Sequence, residues 1–236
     1  DNGVYTVTVA VTDDNGGSGS DTVQVTVNNV APAVNAGADA TANEGAAFSQ
    51  SGSFADPGAD TWTATVDYGD GSGVQALALS GKTFTLNHVY ADNGVYTVTV
   101  AVTDDNGGSG SDTVQVTVNN VAPTITEASW NNGCDLEVAV TYTDPAGVLD
   151  EPYDLTINWS ITSCTISTAA PQVCSTEGYQ QTVSDYASGD SVSLLGYTPP
   201  GGTTITNREP TRVEVSDKDN GSNATNVISD NCNVPG

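Results

Sequence analysis

Residues 1–32 recur without a change as residues 92–123, at an offset of 91. Two copies of one sequence encode the same local structure, so this duplication sets the scale of the folding unit. A period of about ninety residues is too long for one turn of a solenoid and suits a complete small β-sandwich. Residues 33–91 occur only once. The complete unit is therefore 33–123, and 1–32 is the C-terminal hairpin portion of an incomplete repeat.

The unit reads as all-β. Val95-Tyr96-Thr97-Val98-Thr99-Val100-Ala101-Val102-Thr103 alternates and puts Tyr96, Val98, Val100 and Val102 on one face. A Gly/Ser/Asp/Asn turn over 104–111 leads to Asp112-Thr113-Val114-Gln115-Val116-Thr117-Val118, which returns with the same period as the second arm of a hairpin. Further strands are expected at 46–54 and 61–66, broken by Asp56-Pro57-Gly58. No stretch has the pattern of an amphipathic helix.

Val66-Asp67-Tyr68-Gly69-Asp70-Gly71, His88-Val89-Tyr90, Gly94-Val95-Tyr96-Thr97-Val98 and Val102-Thr103-Asp104-Asp105 together resemble the polycystic-kidney-disease (PKD) repeat. In that family an aromatic-Gly-Asp-Gly turn precedes a His-x-Tyr and a Gly-x-Tyr-x-Val strand that ends in Val-Thr-Asp. Val66 departs from the family pattern, which usually has Trp before the Asp; Trp62 lies earlier in the strand. The resemblance covers 33–123 and the fragment 1–32. It implies an immunoglobulin-like sandwich used as an extracellular spacer or binding module.

Residues 124–236 lack the signature but repeat its layout. Leu136-Glu137-Val138-Ala139-Val140-Thr141-Tyr142-Thr143 alternates, and Asp144-Pro145-Ala146-Gly147 mirrors Asp56-Pro57-Gly58-Ala59. Leu155-Thr156-Ile157-Asn158-Trp159 is a further strand. Val213-Glu214-Val215-Ser216-Asp217-Lys218-Asp219-Asn220-Gly221 matches the strand and turn that begin at Val100. The expected fold class is thus all-β: tandem immunoglobulin-like (PKD-type) β-sandwiches in a linear array, with 124–236 a diverged domain.

Composition excludes several functions. The chain has 29 Asp plus Glu against 4 Lys plus Arg, a net charge of -25. Four scattered cations make no basic stripe, which argues against nucleic acid as a partner. No apolar run approaches the ~20 residues of a membrane span. The acids are 22 Asp and 7 Glu, a bias toward turns and oxygen-ligand metal loops rather than helix surfaces.

Calcium is the cofactor this bias suggests, because it takes six to eight hard oxygens from carboxylates and carbonyls. In an immunoglobulin-like path the B–C and F–G loops meet at one end. In 33–123 those loops carry Asp56, Asp60, Asp104 and Asp105, with Glu44 just before the second strand. In 124–236 they carry Asp144, Asp150, Asp217 and Asp219. A second group, Asp67, Asp70 and Asp92, is expected at the opposite end beside Asn119-Asn120, where an ion would stiffen a joint. The same aspartates also fit ordinary Asx turns.

Cys134, Cys164, Cys174 and Cys232 all fall in 124–236 and contain no Cys-x-x-Cys pair. Of three pairings, their placement favours Cys134–Cys232 and Cys164–Cys174, which implies an oxidising compartment. Lone His88 belongs to the His-x-Tyr pattern and has no companion base or nucleophile, so the chain is not read as an enzyme. Trp62, Trp130 and Trp159 suit either cores or a sugar-stacking platform.

The hairpin at 1–32 leaves Tyr5, Val7, Val9, Val11, Val23, Val25 and Val27 in need of cover. Partners that complete it would be other copies in a homopolymer or neighbouring repeats of the same protein. The reading is a non-catalytic extracellular or cell-surface structural protein, a calcium-stabilised array forming a fibre, filament or stalk. The alternative is a polysaccharide- or protein-binding accessory or adhesin module of a larger secreted protein.

Overall fold

The computed structural model describes residues 2–130, 137–165, 174–188, 191–193 and 203–225. In chain order the strands are β1 (Gly3–Thr12), β2 (Ser18–Val27), β3 (Ala33–Asn35), β4 (Ala40–Asn43), β5 (Ala47–Ala55), β6 (Trp62–Asp67), β7 (Gln75–Leu77), β8 (Leu79–Ser80) and β9 (Thr83–Val89). They continue as β10 (Gly94–Asp104), β11 (Ser109–Asn119), β12 (Thr124–Trp130), β13 (Glu137–Thr143), β14 (Asp154–Thr165), β15 (Cys174–Val183), β16 (Ser191–Ser193), β17 (Thr203–Ser216) and β18 (Ser222–Thr225). A single 3₁₀ turn, Gly147–Asp150, interrupts the pattern among the described residues. The predicted strands at 46–54, 61–66, 95–103 and 112–118 are present, each with ends shifted by a few residues at most.

Two compact units partition the chain. One holds Asp1–Ala42, Ala46–Tyr90 and Gly94–Val118; the other holds Asn43–Gly45, Ala91–Asn93 and Asn119–Gly236. The loops carrying Glu44 and Asp92 therefore belong with the second unit, although they lie within residues 33–123.

In the first unit a five-stranded sheet, β4-β11-β10-β6-β7, and a four-stranded sheet, β3-β5-β9-β8, form a sandwich. Val98, Val100, Val114, Val116 and Val118 from the first sheet meet Phe48, Phe84 and Leu86 from the second in one core. Alternation explains the selection, since every second residue of a strand faces inward. The PKD-like signature closes one end. Tyr68 stacks on His88 at 4.1 Å between ring centres, His88 meets Tyr90 edge-on at 4.8 Å, and Tyr90 stacks on Tyr96 at 4.4 Å. Gly69 adopts φ +77°, and a Cβ there would sit 2.5 Å from the Thr97 carbonyl oxygen, so only glycine fits.

The duplication provides an internal control on packing. Hairpin β1–β2 has the same register as β10–β11: Val7 faces Val23 as Val98 faces Val114. Val98, Val100, Val102, Val114, Val116 and Val118 are buried. Their counterparts Val7, Val9, Val11, Val23, Val25 and Val27 are exposed; Val9 is 59% accessible where Val100 is 0%. Identical residues thus form the identical hairpin, and only the facing sheet differs.

In the second unit a three-stranded sheet, β12-β13-β16, accompanies a four-stranded sheet, β15-β14-β17-β18. Val138 and Val140 from the first pack with Leu155, Ile157, Trp159, Ile161, Val213 and Val215 from the second. The alternating residues of both sheets thus share one core. Cys164 and Cys174 are Cα partners on β14 and β15. Cys134 and Cys232 lie outside the described residues.

Candidate metal centre

Two acidic turns are built alike: an Asp at the end of a strand turns the chain back through its own carboxylate. On β10, Asp104 Oδ1 accepts from the N–H of Asn106 at 2.9 Å and of Gly108 at 2.7 Å. Just after β17, Asp217 Oδ1 accepts from the N–H of Asp219 at 2.9 Å and of Gly221 at 2.8 Å. The two turns correspond residue for residue, and Asn220 at φ +70° takes the left-handed place of Gly107 at φ +89°. Lys218 consequently occupies the position of Asp105. The asparagine of each Asn-Val-Ala-Pro connector clasps the turn. Asn29 Nδ2 donates to Asp104 Oδ2 at 2.9 Å, and Asn120 Nδ2 donates to both oxygens of Asp217 at 3.1 Å. A Cβ on Gly221 would collide with Asp217 and with Asn120.

The B–C and F–G carboxylates of the first unit have local partners. Asp56 accepts from the Gly58 N–H at 3.1 Å and from the Trp62 indole at 2.9 Å. Lys82 donates to the Asp56 carbonyl and lies over the Trp62 ring. Asp105 accepts from the Thr61 hydroxyl at 3.2 Å. The Asp60 carboxyl is raised by burial and by the charges of Asp56, Asp105 and Asp104. Asn29, followed by backbone N–H groups, outweighs burial and lowers Asp104.

Asp67 and Asp70 also lie in the first unit, in Asx turns. Asp67 accepts from Gly69 N–H at 2.9 Å and Asp70 from Ser72 N–H at 3.0 Å. Asp70 Oδ2 is 2.7 Å from His88 Nε2. Burial alone would raise Asp70, but the bonds from Ser72 and His88 bring it down to about 2.

The second unit concentrates the remaining acids. Oxygens of Glu44, Asp92 and Asp150 lie within 4.8 Å of one another, as do those of Asp144, Asp150 and Asp217. Glu44, placed by its sequence position with Asp56 and Asp104, stands instead with Asp92 and Asp150. Asp219 joins through Lys218, whose Nζ is 3.1 Å from Asp150 Oδ1, 3.5 Å from Asp219 and 3.7 Å from Asp92. Glu44 Oε1 accepts from the Val121 N–H, and Asp144 Oδ1 from the Ala146 N–H at 2.8 Å.

Four oxygens of this cluster have no hydrogen-bond donor. Glu44 Oε2, Asn120 Oδ1, Asp144 Oδ2 and Asp150 Oδ2 are buried and unpaired, and Asp150 and Glu44 are 0% and 2% exposed. An unpaired buried polar atom costs about 1–3 kcal/mol, more when charged. Burial leads the causes that raise Glu44, Asp144 and Asp150. For Glu44 the charges of Asp150 and Asp144 add to it, for Asp144 that of Asp217, and for Asp150 those of Asp144 and Asp217. Hard oxygens on opposite sides of a calcium ion at ~2.4 Å are ~4.8 Å apart. The spacing and donor type of both triads therefore fit a divalent cation, and Glu44, Asn120, Asp144 and Asp150 carry the oxygens left free to hold it.

Asn120 and Lys218 were not singled out from sequence as parts of the site. Their signals were the repeated Asn-Val-Ala-Pro connector and a lysine where the duplicated copies carry aspartate. Among the tryptophans, Trp159 is core and Trp62 packs edge-on against Phe54 at 5.3 Å; the Trp130 side chain is outside the described set.

A family profile described as PKD domain matches residues 29–118, starting at the asparagine that clasps Asp104. A search of curated proteins finds no match. Among solved structures, a PKD domain of a peptidase from a Thermoplasmatales archaeon is 22% identical, with TM-score 0.33, covering 39% of this chain and all of that one. A tetra-tandem repeat in the extending region of a large adhesion protein is 18% identical, with TM-score 0.40, over 96% of this chain and 57% of that one. The SGBP-B protein of a Bacteroides ovatus mixed-linkage glucan utilization locus, in complex with a heptasaccharide, is 16% identical, with TM-score 0.24, over 78% of this chain and 50% of that one. No helix among the described residues is long and apolar enough to cross a membrane. Signature, sheet order and family match converge: residues 29–118 form a PKD-type immunoglobulin-like domain.

Proposed function

We propose that the chain is a non-catalytic segment of an extracellular repeat array, stabilised by calcium and used as a fibre, filament or stalk. The observation that carries this reading is the set of four buried, unpaired oxygens on Glu44, Asn120, Asp144 and Asp150. Calcium supplies the missing charge and coordination there. It ties residues 44, 92 and 120–121 to the loops at 144–150 and 217–219, adding to the hydrogen bonds that already hold the connector there. The net charge of -25 keeps chains apart until divalent ions screen it.

Two further features support an assembled extracellular protein. The apolar face of β1–β2 is open in the isolated chain and would be covered, in the array, by strands of a neighbouring repeat such as those that cover β10–β11. Cys164 and Cys174, opposed across β14 and β15, form a cross-strand disulfide in an oxidising compartment. Thermal melts in EDTA and in millimolar calcium test the reading. Calcium at about 100 times its Kd stabilises by about 2.7 kcal/mol, which raises Tm by several degrees; coincident melts would refute calcium stabilisation.

A further inference from the structure

The acidic cluster has two halves that share Asp150. One triad is Glu44, Asp92 and Asp150; the other is Asp144, Asp150 and Asp217. Two carboxylate sets joined at one residue make an arrangement for two cations bridged by a shared ligand. One half already holds a cation belonging to the chain. Lys218 Nζ contacts Asp150 Oδ1, Asp92 Oδ1, Asp219 Oδ2 and the Leu149 carbonyl oxygen. Four oxygens of three carboxylates and a carbonyl surround that ammonium, the donor chemistry that a calcium ion takes.

None of the unpaired oxygens is one that Lys218 contacts. Asp150 gives Oδ1 to the ammonium, and its Oδ2 is buried without a partner, together with Glu44 Oε2, Asp144 Oδ2 and Asn120 Oδ1. Asn120 reaches this state because its Nδ2 is committed to Asp217, and a carboxylate only accepts, so the amide oxygen is turned away from it. Lys218 also stands where the otherwise equivalent turn of the duplicated module has Asp105. The third module has thus exchanged an anion for a cation at the position nearest Asp92 and Asp150.

The geometry points to a site for one divalent cation, held by Glu44, Asn120, Asp144 and Asp150, in which the Lys218 ammonium permanently fills the place of a second. This rests on the calcium reading above and adds its stoichiometry. A tethered ammonium cannot dissociate, so the cluster keeps one compensating positive charge when calcium is scarce. It carries one charge where a calcium ion carries two, so six carboxylates still leave a strong demand for the remaining ion.

Counting bound calcium per full-length chain by native mass spectrometry at saturation tests this. Asp150→Asn is expected to bind one ion fewer than the unaltered chain, and Glu44→Gln, kept as a check should Asp150→Asn fail to fold, shows the same loss. Lys218→Met is expected to bind one ion more, and Lys218→Arg, which retains the charge, the original number. A loss of two ions in Asp150→Asn, or no gain in Lys218→Met, overturns the role of Lys218 while leaving calcium binding intact. An unaltered chain that binds no calcium overturns both the stoichiometry and the calcium reading.

Discussion

Asp144→Asn separates the electrostatic cost of the acidic cluster from its use. Oδ1 of Asp144 accepts from Ala146 N–H at 2.8 Å, a bond the amide oxygen of Asn retains, so the turn survives. Oδ2 is buried and unpaired, and the new NH₂ would face carboxylates that lack donors. Oxygens of Asp144, Asp150 and Asp217 lie within 4.8 Å of one another, and two full charges at that distance repel by about 3.5 kcal/mol at an effective dielectric of ~20. Burial, then Asp217, raises the Asp144 carboxyl, while the N–H groups of Ala146 and Gly147 and the charge of Lys218 pull it back. With these offsets, losing the charge relieves about 1–2 kcal/mol. In EDTA near neutral pH, Asp144→Asn therefore melts higher than the unaltered chain, by about 4–10 °C for a module of ~100 residues. In saturating calcium the order reverses, because the variant forfeits a ligand and most of the ~2.7 kcal/mol the ion contributes. Calorimetry in both media reads the crossing. If the variant melts lower in EDTA as well, the cluster is not electrostatically frustrated and the reasoning fails.

Two other measurements bear on the same structure. Glu44, Asp144 and Asp150 all have carboxyls raised above their ordinary values, so the folded chain holds their protons to higher pH than the unfolded chain does. Their contribution to stability is full below the unfolded values and is lost as pH rises through the raised ones. Metal-free protein should accordingly gain Tm as pH falls from neutral toward the ordinary carboxylate values, and saturating calcium should remove that gain; a flat profile in EDTA would contradict it. Asp70 and Asp104 are lowered, and they act in the opposite sense only below about pH 4. Val100→Ala should cost about 1–3 kcal/mol in denaturant unfolding, from lost transfer energy and a residual cavity. Val9→Ala, the same change in the same local sequence, should stay within about 0.5 kcal/mol. Equal losses would show that the face of β1–β2 is covered in solution.

Much of the architecture was legible in the amino-acid order. Period-two alternation between turn residues locates β5, β6, β10, β11 and β13, because a strand with one buried face must repeat every second residue. The Tyr68, His88, Tyr90 and Tyr96 signature is readable as a resemblance to the PKD repeat, whereas the ring contacts among them are seen only in the fold. The acidic loops were also evident as loops. Their membership was not: Glu44 precedes the second strand of its own repeat, yet its carboxylate joins Asp92 and Asp150, residues 48 and 106 positions away.

Sequence by itself determined the hairpins, their register and the Asp-centred turns, because these depend on contacts among residues a few positions apart. Val9 and Val100 show the limit, being alike in every local respect and opposite in burial. Tertiary structure alone decided which valines enter a core, which aspartates find donors, and which oxygens are left without them. Asp56 and Asp144 occupy matching Asp-Pro turns, but the Trp62 indole reaches one and no donor reaches the second oxygen of the other. Burial and charge neutralisation depend on what folds back from far along the chain, and that partner is set by three-dimensional packing.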